Sequence, residues 1–236
     1  MSSNILTTDF LKIWPVVPGT LLLSAVILLL GILGGAVLNS LQGSHSRLTK
    51  LVVRAYVTYF RGIPLLIHLM IFYYGLPLLL TTVVPLFDRG VNAISFQRMS
   101  PLYAIILSYG LYTSAFMGEI IRGAYRSVQR GQLEAAQAMG YTKWQSFVHI
   151  KLPQALTEAL PKFLNYYLLL IRQLSLAFMV SFIDIFAQAQ LQSANNYRYI
   201  EAYVASAGVY WLLSLALTFI FNKYERYLRR FETSFS

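Results

Sequence analysis

The chain has 236 residues, 57% of them apolar and only 12% charged, with no cysteine and a formal net charge of +10. Soluble domains carry about 25% charged residues, so half that density, with the apolar residues in long blocks, excludes a water-soluble surface and marks an integral membrane protein. The missing cysteines exclude disulfides and thiolate metal sites, and three scattered histidines make no metal cluster. The positive charge lacks the basic face on a soluble fold that nucleic acid requires, so it is expected at the cytoplasmic membrane surface.

Phe10-Leu11-Lys12-Ile13-Trp14-Pro15 comes first, with an apolar face, one charge and a Trp suited to headgroups. It reads as an amphipathic helix on the outer surface or as a frayed tail. A spanning helix needs about 20 mostly apolar residues, and the first such stretch runs about 18–41. It is too long for a signal-peptide core, follows no basic cluster and has no small-x-small cleavage site, so it is expected to be retained. Gly31, Gly34, Gly35 and Ala36 within it permit a close helix contact, within the chain or between chains.

The next apolar stretch, about 51–84, is interrupted at Arg61-Gly62-Ile63-Pro64, and only about 64–84 is long and neutral enough to span. Further spans are expected at about 101–121, 153–175 and 204–222, with a short re-entrant or interfacial helix plus a loop over 176–200. The whole of 1–236 reads as a single, all-α transmembrane domain of about five helices.

Lys and Arg set its orientation. Arg47, Lys50, Arg54 and Arg61, then Arg122, Arg126, Arg130, Lys143 and Lys151, then Lys223, Arg226, Arg229 and Arg230 all fall on one side, joined by Lys162 early in span four. The other side has Lys12, Arg89, Arg98 and Arg198, while Arg172 lies within a span. Cytoplasmic loops keep the positive charge, so the N-terminus is expected outside, the C-terminus inside and the 122–152 connection in the cytoplasm.

That connection is the most informative stretch. Glu134 to Met139 is strong helix-forming sequence, and Ala135 and Ala136 are small enough for close helix approach. Gly140 suits a helix C-terminal stop, where a residue without Cβ can take positive φ. Trp144, Phe147, Val148 and Ile150 put bulky apolar groups on one side of a second short helix, which Pro153 ends before opening span four. Two short helices joined at Gly123–Gly131 and Pro153 to spans three and four make a compact knob suited to a groove on a soluble partner. The plainer alternative is an ordinary cytoplasmic loop with a helix cap.

Glu134-Ala135-Ala136, Gly140 and Ile150-x-Leu152-Pro153 resemble the EAA loop of permease subunits in ATP-binding-cassette importers. Phe60-Arg61-Gly62-Ile63-Pro64-Leu65-Leu66 and Phe72-Tyr73-Tyr74-Gly75-Leu76-Pro77 look like the Phe-Arg-Gly-Thr-Pro-Leu region of polar amino acid permeases of the histidine/glutamine/cystine type. Ala115 to Gly123 resembles their Ala-Glu-Ile-x-Arg-Gly segment, with Gly118 where Ala is usual, and Ser127-Val128, Gly131-Gln132, Leu152 to Leu156 and Ala159-Leu160-Pro161 follow suit. Ile63 stands where Thr is usual, and Arg172-Gln173-Leu174-Ser175-Leu176 where Lys-Asp-Thr-Ser-Leu is usual.

The resemblance implies a type I importer permease fold in a bacterial cell membrane, with Glu134, Ala135, Ala136, Gly140, Ile150, Leu152 and Pro153 forming a coupling loop. It implies two ATPase subunits, a second permease chain (a homodimer or a close paralogue), an extracytoplasmic amino acid-binding protein, and a polar amino acid or cystine as cargo. The chain has no Gly-x-x-x-x-Gly-Lys-Ser/Thr phosphate cradle and no nucleophile–base arrangement. It is therefore expected to have no catalytic residues and no cofactor of its own, with ATP and Mg held by the partner ATPase.

Charge inside hydrocarbon costs about 2.5–3.5 kcal/mol and needs a reason. Arg172, with Gln173 and Ser175, reads either as contact with a substrate carboxylate or as an anchor reaching the outer headgroups. Glu119 joins the substrate-path candidates but fits better as a partner of Arg122 or Arg61, and Asp184 either meets a substrate ammonium or caps the short helix. Tyr73, Tyr74, Tyr166 and Tyr167 suit a pore lining or an aromatic belt equally. An ion-coupled secondary transporter would require repeated halves with broken helices, and a membrane enzyme would require clustered catalytic groups; neither pattern is present.

Overall fold

The computed structural model describes residues 3–87 and 99–232, and among these there is no strand. Arg89 and Arg98, placed on the outer side by their sequence position, lie outside the described residues. Five helices are long and apolar enough to cross a membrane: Thr7–Gln42, Leu65–Val83, Pro101–Ser127, Lys143–Val180 and Tyr199–Arg226.

The first helix, α1 (Ser3–Ile13), passes through a 3₁₀ turn at Trp14–Val16 directly into α2 (Val17–Gln42). It is not a separate surface helix: Ile13 is fully buried with Ile185, Ala189 and Val209, because its apolar face packs on the last two helices of the chain. Phe10 stacks on Trp14 at 5.6 Å between ring centroids.

The glycines of α2 meet α5 (Pro101–Ser127) within the same chain. A Cβ built on Gly35 would stand 2.6 Å from the backbone N of Gly118, one on Gly34 would meet Ser114 at 2.8 Å, and one on Gly31 would collide with Thr113. Only residues without side chains allow two backbones to approach that closely.

Ser46 accepts from the Thr49 N–H at 3.3 Å and starts α3 (Arg47–Gly62). Ile63 is extended (φ −109°, ψ 139°), as the residue before a proline must be, and α4 (Leu65–Phe87) then begins. The interruption therefore sits where the sequence places it. Tyr56 of α3 donates to the Leu111 carbonyl at 2.9 Å and pairs with the Ser114 hydroxyl at 2.7 Å. Burial raises its pKa above the ordinary tyrosine value, only partly offset by Ser114, so it stays a neutral donor.

After α5 come α6 (Arg130–Ala138), α7 (Lys143–Ser146), a π-helical turn (Phe147–Lys151), α8 (Leu152–Gln173) and a 3₁₀ segment (Leu174–Val180). Ser181, at φ 65°, stops that run; α9 (Ile185–Asn196) and α10 (Tyr199–Glu232) complete the chain. The main core joins Ile27, Leu69, Tyr109, Met117, Leu170 and Leu174, with α5 at its centre. A smaller cluster of Ala124, Val128, Ala155 and Ala159 clamps the end of α5 to the start of α8. That clamp is the base of the 128–152 connection.

Candidate functional site

The connection turns on Gly140, the one glycine with positive φ (92°) among the described residues. Tyr141 N–H donates to the Ala136 carbonyl and Gly140 N–H to the Gln137 carbonyl, both at 3.0 Å, which is the bond pair of a Schellman stop. Thr142 then opens α7 with a capping box: it accepts from Gln145 N–H at 3.2 Å while its own N–H donates to Gln145 Oε1 at 2.8 Å. The turn thus satisfies the Ala136 and Gln137 carbonyls at the end of the first helix and the Gln145 N–H at the start of the second. Side chains at the tip remain open to solvent, with Met139 80% and Trp144 71% exposed.

The second arm differs from the sequence reading in one respect that matters. Pro153 does not end it. A proline near a helix start lacks only an N–H that would be spare in any case, and here the π turn carries the backbone through, so helix runs from Lys143 to Val180 without a break. The other joint falls inside the Gly123–Gly131 stretch: both glycines are helical, and the chain bends between them at Val128 (φ −70°, ψ 123°) and Gln129 (φ −64°, ψ 129°).

The base of the loop is pinned by side chains. Gln154 Nε2 donates to Gln132 Oε1 at 2.7 Å, Phe147 meets Tyr125 edge-on at 6.0 Å, and Lys151 Nζ lies 5.1 Å from the Tyr125 ring centre. Of the loop residues singled out by sequence, Ala136 is buried, Ile150 and Leu152 are half-buried, and Glu134, Ala135 and Pro153 are exposed. Ala136 thus turns to the inside of the loop, and Glu134 faces out.

The polar residues of the spans do not converge. Glu119 binds both Arg122, at i+3, and Arg61 at 3.7 Å, and Arg61 also lies over the Phe116 ring at 5.4 Å. That knot sits near the loop end, away from Arg172. Arg172 points outward, its Nε donating to the Leu168 carbonyl at 3.0 Å, and Ser175 Oγ donates to the Arg172 carbonyl at 2.8 Å. The Gln173 carbonyl accepts from the Tyr109 hydroxyl at 2.8 Å, while its side-chain Oε1 is buried with no hydrogen-bond partner among the described residues.

Asp184 is fully buried and caps α9 through the Ala187 N–H at 2.9 Å, its other oxygen accepting from the Tyr210 hydroxyl at 2.8 Å. Both lone-pair faces have structural partners, so capping is its role here. Tyr166 and Tyr167 are likewise buried, on Thr113 at 3.2 Å and Ser24 at 3.1 Å, whereas Tyr73 and Tyr74 line a hollow of about 280 Å³ with Ser100 and Tyr103.

One residue gave no functional signal in the sequence beyond standing in an apolar run. His68 is fully buried in α4, enclosed by Tyr59, Phe60 and Tyr112 at 4.8–5.8 Å, and neither ring nitrogen has a partner among the described residues.

Residues 27–230 match the family described as binding-protein-dependent transport system inner membrane component. Among curated relatives, a probable amino-acid permease of Bacillus subtilis, YxeN, is 33% identical over 89% of this chain and 88% of its own. The L-cystine transport system permease TcyL of the same organism is 30% identical over 92% and 87%, and the glutamine permease GlnP of Escherichia coli is 28% identical over 94% and 98%. Among solved structures, an amino acid ABC transporter crystallised with histidines matches with a TM-score of 0.79 at 25% identity, over 96% of this chain and 98% of that one. The methionine transporter MetNI shares the fold, with a TM-score of 0.62 at 18% identity over 97% and 99%.

Proposed function

The chain belongs to the binding-protein-dependent transport system inner membrane components, and from that premise we propose that it is a permease subunit of an ATP-driven amino acid importer. It would form half of the pathway, beside a second copy or a close paralogue, above two ATPase subunits that bind ATP and Mg. An extracytoplasmic binding protein would deliver the cargo. The names of its relatives, spanning glutamine and L-cystine, favour a polar amino acid or cystine. An ion-coupled carrier does not fit a binding-protein-dependent family.

The observation that carries the reading is the loop tip. A soluble loop hides its Met and Trp, whereas this one holds Met139 and Trp144 in solvent on either side of a Schellman turn whose base is pinned to two spans. Exposed aromatic and Met side chains on a rigid support are the usual anchors of an interface. We place this tip in the cytoplasm from the thirteen basic residues on its side of the chain, with the N-terminus outside.

The outward-facing Arg172 of α8 would supply a cation for a carboxylate where the second permease chain completes the pathway. Replacing Trp144 with Glu should abolish co-purification of the ATPase and ATP-driven uptake while leaving membrane insertion unchanged. Stoichiometric ATPase on the Trp144→Glu chain would refute the docking role.

A further inference from the structure

The charged helix before the second span has a surface that neither the core nor the coupling loop uses. At 3.6 residues per turn, Arg47, Lys50, Arg54 and Arg61 of α3 fall within an arc of about 60°. Val53, Val57 and Phe60, on one flank of that arc, are buried against the bundle. On the other flank, Leu48 is 70%, Leu51 63%, Val52 59% and Tyr59 44% exposed. A cationic stripe with an exposed apolar face beside it is the pattern of a helix lying in a membrane interface.

The connections of α3 agree with that placement. Four residues, 43–46, separate it from the end of α2 at Gln42. Near its other end Arg61 reaches Glu119, eight residues before α5 ends at Ser127 and so about 12 Å along that helix. Both ends therefore lie in the same part of the bundle, on the side that carries the coupling loop. A helix of 16 residues, about 24 Å long, between two such points runs along the membrane face. Glu119 takes Arg61, but no carboxylate among the described residues lies within 4 Å of Arg47, Lys50 or Arg54.

We propose that α3 docks on anionic phospholipid in the cytoplasmic leaflet, with Arg47, Lys50 and Arg54 on the phosphate headgroups and Leu48, Leu51, Val52 and Tyr59 in the adjoining hydrocarbon. The proposal rests on the reading above for which leaflet this is. A second copy seated on the apolar flank would cover Leu48, Leu51, Val52 and Tyr59 but leave the cation row at the rim without a counter-charge. An acidic patch on the ATPase would satisfy the stripe but leave the apolar flank in water. Only a lipid surface serves both halves. Each cation near an anionic surface contributes about fivefold in binding, so three give roughly a hundredfold preference over a neutral surface, weakened by salt.

The test uses the assembled transporter in vesicles of phosphatidylcholine, with or without phosphatidylglycerol. The wild type should take up substrate severalfold faster with phosphatidylglycerol. A triple Arg47→Gln, Lys50→Gln, Arg54→Gln variant should keep the phosphatidylcholine rate and lose the gain. Because the chain has no cysteine, Leu51→Cys carries a single fluorophore, which brominated lipid should quench and aqueous iodide should not. An equal gain in the triple variant, or quenching by iodide alone, would overturn the proposal. Loss of ATPase co-purification in the triple variant would also overturn it, in favour of a protein partner. Labelling of Leu51→Cys by a membrane-impermeant maleimide from outside intact cells would instead show that the assigned orientation had failed.

Discussion

Replacing Gly140 with Val tests whether the Schellman turn is the docking element. At φ 92° an L-residue is strained wherever its side chain points, and a Cβ there meets nothing within 4 Å. The penalty is therefore conformational and owes nothing to crowding. A left-handed backbone costs an L-residue roughly 1–2 kcal/mol, and a β-branched one stands at the upper end or beyond. Because nothing packs on the tip, the free loop can relax out of the turn, whereas the docked loop has to hold it. The strain then appears in association, as a loss of about 5- to 30-fold. Affinity for the purified ATPase in detergent is the measurement, with Gly123→Ala as control, since Gly123 is helical and a Cβ there also meets nothing within 4 Å. Unchanged affinity for Gly140→Val, with the protein still inserted, would refute the reasoning.

Gly35→Val should cost about 1–3 kcal/mol, because its Cβ would stand 2.6 Å from the Gly118 backbone and force α2 away from α5; an unchanged unfolding midpoint in detergent would rule that out. Asp184→Ala removes the cap of α9 and leaves the Tyr210 hydroxyl without its acceptor. Loss of the cap should cost about 1 kcal/mol and the orphaned hydroxyl about 1–3 kcal/mol, while Asp184→Asn keeps the cap through its Oδ1 and loses only the acceptor for the Tyr210 hydroxyl, so equal stability of the two variants would contradict a capping role. Arg172→Ala should raise the KM for uptake roughly tenfold or more if the guanidinium meets the substrate carboxylate. Arg172→Lys should recover part of the loss, and normal kinetics in Arg172→Ala would leave it an anchor.

Local chemistry was legible in the sequence. The break at Ile63–Pro64 follows from the steric limit before proline, the Gly140 stop from a helix-forming run that ends in a residue without Cβ, and the two partners of Glu119 from i+3 spacing and the Arg61 motif. Contacts between distant segments were not. Glycines in α2 announce a close approach but cannot name α5 as its partner, and the apolar side of α1 reads the same whether it meets lipid or the helices α9 and α10. Pro153 misleads for a related reason: a proline at a helix start and a proline passed by a π turn have the same local sequence. His68 carries no signal at all, since its burial depends on Tyr59, Phe60 and Tyr112 arriving from two other helices.

The unbroken run from Lys143 to Val180 changes what the loop can transmit. Two short helices jointed at Pro153 would absorb a push from below by bending at the joint. A single helical body of 38 residues, about 57 Å long, would carry such a push along its axis to the 3₁₀ segment and the left-handed Ser181 at its far end. Arg172 and Gln173 ride near that end. The hydrogen-bond ladder is relaxed at the π turn of Phe147–Lys151, where Phe147 and Lys151 contact Tyr125 of α5, and loses one i→i−4 bond at Pro161 inside α8. The first arm has the opposite design, with two extended residues, Val128 and Gln129, between it and α5. Val128 is nonetheless packed with Ala124, Ala155 and Ala159, so the two arms share a base that ties the end of α5 to the start of α8.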